Sequence, residues 1–102
     1  MKYIDVHSHL QFEAYAQDRE ETCARAQAEG VGLITVGTQK DTSRAGLDFA
    51  KNHTEVYATV GLHPIHTSKS FHDTQELGEG NKQFTSRGEV FDTDAYRSMA
   101  LD

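Results

Sequence analysis

Three short apolar blocks punctuate the first sixty residues: Tyr3 to Val6, Val31 to Val36 (VGLITV) and Val56 to Val60 (VYATV). The second is apolar on both faces, the pattern of a buried parallel strand. Between the blocks the apolar positions change to a helical spacing. Gln11 to Gln17 reads as a loop with two aromatics, Phe12 and Tyr15. Asp18 then stands where an N-cap belongs, Glu21 completes a capping-box pattern, and a helix runs through Thr22 to Ala28 until Gly30 stops it. Asp41 is a candidate cap for a second helix over Thr42 to Asn52, with Ala45, Phe49 and Asn52 in one row and Leu47 and Ala50 beside it. Strand–helix–strand–helix–strand with short links predicts βαβ units, a parallel sheet and right-handed crossovers.

After Pro64 the alternation ends. Ile65 to Glu89 is polar and carries Gly78, Gly80 and Gly88, so 65–91 reads as a loop or lid within one unit spanning 1–102. The Gly78–Gly80 pair is no phosphate loop, because it follows no strand and opens no apolar helix. A short helix returns at Asp92 to Leu101, started by Thr93 or Asp94 and carrying Tyr96, Met99 and Ala100. All three strands read as buried, which demands cover on both faces and neighbours on both edges. Two helices and a polar tail do not supply that. The expectation is therefore a piece of a larger α/β barrel or sheet, cut before its fourth strand.

Size and charge narrow the function. The chain of 102 residues suffices for one small domain with a core and not for two. With 16 Asp and Glu against 10 Lys and Arg, its formal charge of −6 argues against a charge-driven nucleic-acid binder. A phosphate substrate stays open, since a divalent cation can supply positive charge locally. The single cysteine, Cys23, cannot form an internal disulfide and reads as a buried helix residue in a protein of a reducing compartment. Asp5 interrupts the first apolar stretch below signal-peptide length, and no run approaches the ~18 apolar residues of a membrane span. The expected location is cytoplasmic.

The candidate chemistry lies in histidines. In a strand alternate residues share a side, so His7 and His9 project together behind Tyr3 to Val6, with Asp5 on the same face as a partner able to orient an imidazole. His-x-His alone is also what a pair of structural histidines looks like. Its position at a strand's carboxyl end, where parallel α/β folds collect functional groups, favours two metal ligands. His63 follows the third block and should face the same rim. Pro64 fixes the backbone there, which suits a substrate-contacting role as well as a structural turn. His53 at a helix end suits the negative end of the helix dipole, while His66 and His72 are expected to be solvated.

These residues resemble a known family. Ile4-Asp5-Val6-His7-Ser8-His9-Leu10, the Asp18-Arg19-Glu20-Glu21 helix start, Gly30-Val31, Val36-Gly37-Thr38, Ser43-Arg44 and Val60-Gly61-Leu62-His63-Pro64 look like the amino-terminal part of TatD-type metal-dependent deoxyribonucleases. That family lies within the amidohydrolase superfamily. The resemblance implies the first three parallel strands of a (β/α)8 TIM barrel and an intact site with two divalent ions (Mg, Mn or Zn) hydrolysing phosphodiester bonds of DNA. It makes His7 and His9 metal ligands and His63 a substrate-binding residue, and assigns no general acid or base within the chain. A complete barrel needs about 250 residues. The family's bridging glutamate, two further histidines and late aspartate have no matching positions, and Gly88-Glu89 reads as loop because no apolar run precedes it. The rival readings are another His-x-His barrel hydrolase such as a PHP-type phosphoesterase, and a non-catalytic remnant module.

Overall fold

The central apolar block forms β2 (Val31–Val36), flanked by β1 (Tyr3–Ser8) and β3 (Val56–Thr59) in a parallel sheet of order β1-β2-β3. The structure, a computed structural model, describes residues 1–67 and 88–102. The crossovers are α1 (Arg19–Ala28) and α2 (Lys40–Lys51), and α3 (Thr93–Leu101) packs on α2. Three parallel strands alternating with helices make the α/β architecture of a partial TIM barrel. His72, Gly78 and Gly80 lie outside the described residues.

The core lies between the sheet and the crossover helices. Leu33 and Val56 meet Leu10 and Cys23 there, with Val31, Ala26, Phe49 and Ala50 packed around them. Burial of each large aliphatic contributes about 1.5–3 kcal/mol, so this apolar core is thin. Polar residues fill the space toward the strands' carboxyl ends. Thr35, Gln39, Thr42 and Ser43 are all buried. The Thr35 hydroxyl donates to the Tyr57 carbonyl of β3, the Thr42 hydroxyl accepts from the Thr38 N–H, and the Ser43 hydroxyl donates to the Gly61 carbonyl.

The expectation of three buried strands fails at β1. Five of its six residues are exposed, and Tyr3, Ile4 and Val6 present apolar side chains to solvent. Tyr57 of β3 is exposed as well. Apolar sequence signals what a strand can bury, whereas burial depends on neighbours, and among the described residues β1 is paired on one edge only.

β1 also runs on to Ser8 and carries an irregularity. Asp5 registers with Leu33, but Ser8 registers with Thr35, so three steps along β1 match two along β2. Leu33 lies in the core and Thr35 reaches Gly46 of α2, which puts both on the helix side. The extra residue reverses the simple alternation. Asp5 is therefore out of phase with His7 and His9, against the expectation from period two.

The helix starts differ from the sequence reading too. Asp18 sits at the N-cap of α1 without a side-chain cap bond, and Glu21 pairs with Arg25 at 3.3 Å instead of closing a capping box. In α2 the cap lies two residues before Asp41. Gln39 is the N-cap, and the Thr42 hydroxyl accepts from the backbone N–H of Thr38 (2.9 Å) and of Gln39 (3.1 Å). α3 begins as expected at Thr93, with the Asp92 carboxylate accepting from the Ala95 N–H at 3.0 Å, and it buries Tyr96 and Met99 while Ala100 stays exposed. Gly30 closes α1 at φ 75°, the left-handed conformation that favours glycine.

Candidate functional site

His7, His9 and His63 line one cavity of about 510 Å³ at the carboxyl ends of the three strands, together with Phe12, the Gly37 turn and Gly61. The convergence expected from the strand order is realised. Each imidazole is held by a different device.

His9 is the most constrained. Its Nδ1 lies 2.9 Å from the Val36 carbonyl oxygen, an acceptor only, so Nδ1 carries the proton and Nε2 keeps its lone pair. The ring stacks on Phe12 with centroids 4.3 Å apart and planes 18° apart. His7 stands edge-on to it, with centroids 5.0 Å apart. The Asp5 carboxylate does not orient the His7 ring as expected. It accepts from the His7 backbone N–H at 3.1 Å, a local turn made where the strand bulges.

His63 has the opposite tautomer. Its Nδ1 accepts from the Ile65 N–H at 3.1 Å, which leaves the proton of the neutral ring on Nε2. Pro64 opens a single 3-10 turn over Pro64–His66, and the His63 backbone N–H donates to the Thr38 carbonyl at 2.7 Å. His9 therefore offers a nitrogen lone pair, and His63 a donor.

The turn after β2 joins the two. Val36 supplies the carbonyl for His9, Thr38 the carbonyl for His63, and Gly37 lies between them. A Cβ on Gly37 would stand 2.3 Å from Ser43 Oγ and 2.7 Å from Ser43 Cα. Ser43, fully buried in α2, accepts from the Gly61 N–H at 3.1 Å and donates to the Gly61 carbonyl at 3.2 Å. The Gly37–Ser43–Gly61 junction ties the end of β2 to the chain leaving β3. Sequence reasoning took Ser43 only as part of a resemblance. A glycine at the end of a strand and a serine one turn into the next helix was the available signal.

His66 corrects a second expectation. It is fully buried, not solvated, and its carbonyl accepts from the Glu89 N–H at 2.8 Å. Gly88-Glu89 is indeed without strand pairing. The Glu89 carboxylate accepts from the Lys40 N–H at 3.1 Å and from the Tyr96 hydroxyl, so it serves the start of α2 and the packing of α3. His53 has no place at the rim. Burial opposes its charge, but the Glu20 carboxylate 2.8 Å from Nε2 and the Phe49 carbonyl 2.8 Å from Nδ1 outweigh that and raise its pKa. Cys23 is buried, and burial, helped by Glu20, pushes its thiol up.

His7 and His9 fit a divalent cation as a pair of nitrogen donors. Two imidazoles sharing one ion through nitrogens about 2.1 Å away place their centroids roughly 5 Å apart, which is the spacing found. The Val36 carbonyl on His9 Nδ1 is the outer partner that fixes a metal-binding tautomer. Among the described residues no group of three or more His, Cys, Asp or Glu is placed to hold an ion.

A family model described as TatD related DNase matches residues 4–90. The chain belongs to this family. It is 38% identical over 64 residues to the uncharacterized metal-dependent hydrolase YjjV of Escherichia coli strain K12, covering 62% of the chain and 25% of that protein. Identity to the uncharacterized metal-dependent hydrolase YabD of Bacillus subtilis strain 168 is 36% over 63 residues, 61% of the chain and 25% of the relative. The 3'-5' ssDNA/RNA exonuclease TatD of Salmonella typhimurium strain LT2 is 33% identical over 67 residues, 65% of the chain and 26% of the exonuclease. The chain thus spans about a quarter of the length of these three relatives. No helix among the described residues is long and apolar enough to cross a membrane.

Proposed function

We propose that this chain is the amino-terminal part of a metal-dependent phosphodiesterase of the TatD family, acting on DNA or another single-stranded nucleic acid in the cytoplasm. The observation that carries the reading is the division of protonation between His9 and His63 within one cavity. A hydrolase cleaving a phosphodiester needs one group that gives electrons to a cation and another that gives a hydrogen bond to a phosphate oxygen. His9, with its Nε2 lone pair, and the neighbouring His7 supply the first. His63, with its Nε2 proton, supplies the second as a substrate-binding residue.

The bound divalent ions, two in the intact site and Mg, Mn or Zn in kind, would supply Lewis acidity and the positive charge that an acidic protein lacks. The cavity wall needs that help, since among the described residues its polar side chains are imidazoles and the Thr38 hydroxyl, with no Lys or Arg. Phe12 and Leu62 give the wall apolar surface against which bases or sugars can lie. The exonuclease relatives fit a single-stranded substrate.

With His7 and His9 as the ligands among the described residues, the 102 residues alone should hold metal weakly and not turn over. Incubation with Mn²⁺ and a labelled single-stranded oligonucleotide is expected to leave the DNA intact. Robust cleavage abolished by His7→Ala would refute the partial-site reading. Where the coding sequence continues past residue 102, the longer product is expected to cut and to lose activity on His9→Ala. A longer product that cuts equally well without His9 refutes the assignment of the site.

A further inference from the structure

Arg19 is the first residue of α1, the end of a helix where its dipole disfavours a cation. Its guanidinium turns back onto the loop after the histidine pair. Nε donates to the Leu10 carbonyl at 2.7 Å, and Nη2 donates to the Gln11 carbonyl at 3.3 Å and the Phe12 carbonyl at 2.8 Å. Three successive carbonyls gripped by one planar fork is an anchorage that a lysine ammonium cannot copy.

Two of the residues so held are the ones that constrain His9. Phe12 provides the stacked ring, and its backbone N–H donates to the His9 carbonyl at 2.9 Å. Gln11 sends its Nε2 to the Val36 carbonyl at 2.9 Å, the same oxygen that accepts from His9 Nδ1. A second bond from Gln11 Nε2 reaches the Thr42 carbonyl at 3.3 Å, while Gln11 Oε1 is buried without a hydrogen-bond partner. Leaving a buried acceptor unpaired costs about 1–3 kcal/mol. Turning the amide over would set that oxygen against two carbonyls, so the side chain is committed to steering the Val36 oxygen. Gly46 gives it room, since a Cβ there would come within 3.3 Å of Gln11 Nε2.

We propose that Arg19 is a positioning residue for His9, holding the loop at residues 10–12 so that Phe12 and Gln11 fix the ring's plane and keep its lone pair on Nε2. The inference rests on the reading of His9 as a metal ligand only for its consequence in binding; the effect on the ring is independent of metal. Arg19 touches neither cation nor substrate in this scheme.

The test uses the 102-residue chain with ¹⁵N-labelled histidine, observed metal-free above the ordinary imidazole titration range, followed by Co²⁺ titration. The parent should show His9 as a single tautomer protonated at Nδ1. Arg19→Lys and Arg19→Ala should move the His9 nitrogen shifts toward the average of both tautomers and weaken Co²⁺ binding about tenfold, the low end for loss of a ligand's outer support. The His63 shifts and the helical circular dichroism should stay put. Phe12→Leu, which removes the stack but keeps the loop's carbonyls, should give a smaller change of the same kind. His9 shifts unmoved in both Arg19 variants overturn the proposal. So does an Arg19→Lys chain that loses its helical signal, because the guanidinium would then be holding the whole fold. A parent that binds no Co²⁺ while its Arg19 variants still average the His9 tautomers refutes the metal assignment and supports the positioning role.

Discussion

Gly37→Ala should be among the most damaging single-methyl additions in this chain. The φ of Gly37 is not in the left-handed region, so the residue is not there for backbone freedom. It is there because α2 comes too close. The added Cβ would stand 2.3 Å from Ser43 Oγ, 2.7 Å from Ser43 Cα and 2.9 Å from Ser43 Cβ. Rotating the serine relieves only the first clash, so the backbone at residues 36–38 or the first turn of α2 must move. Overpacking of this sort costs about 1–3 kcal/mol. Displacing Ser43 also strains its two bonds to Gly61, each contributing about 0.5–1.5 kcal/mol. Together they give roughly 2–6 kcal/mol, a large share of a small domain's stability. Gly61→Ala is the control, since nothing lies within 4 Å of its Cβ position; its effect should stay within about 0.5 kcal/mol. Urea unfolding followed by circular dichroism measures both. If Gly37→Ala unfolds at the same midpoint as Gly61→Ala, the close approach of Ser43 is not what selects glycine. The double variant Gly37→Ala/Ser43→Ala should recover only part of the loss, because the new methyl still collides with the backbone of residue 43. A full recovery would show that the hydroxyl alone was the obstacle.

The pair that His53, just after α2, makes with Glu20 of α1 should titrate: the His53 pKa is raised in the fold, so its stabilising contribution is complete below the ordinary value near 6.5 and lost as pH rises through the raised value. Urea midpoints between pH 6 and 8.5 should therefore fall more steeply in the parent than in Glu20→Gln, by a modest amount because Glu20 is largely exposed; parallel profiles would refute a stabilising His53–Glu20 pair. On β1, Val6→Lys should reduce self-association in sedimentation measurements without lowering stability in urea by more than about 0.5 kcal/mol, because Val6 is 63% exposed and β1 is an edge strand among the described residues. A large loss of stability would mean that Val6 packs against something on folding.

The convergence of the three imidazoles was legible in the sequence, since His7, His9 and His63 needed only parallel strands to bring them to one mouth. What each ring can do was not. The tautomers depend on whether Nδ1 faces a carbonyl or an N–H, and those partners come from Val36 and Ile65, one of them distant in sequence. Asp5 shows the limit most sharply. Period two gave it the face of His7, but a bulge of one residue, invisible in the residue types, moved it away. His66 was misjudged because polarity in a polar stretch suggests solvent, while a one-turn helix after Pro64 folds it inward.

The sequence by itself determined the alternation of strands and helices, the place of the glycine stop at Gly30 and the residue types at the rim, because these follow from local periodicity and backbone preference. Only the tertiary structure decided burial and protonation. Tyr3, Ile4 and Val6 are as apolar as the residues of β2 and yet lie open, since burial belongs to a residue's neighbours. In the same way Ser43 and Arg19, plain polar positions along the chain, became the fastenings of the site once α1 and α2 folded back on the sheet and brought carbonyls within reach.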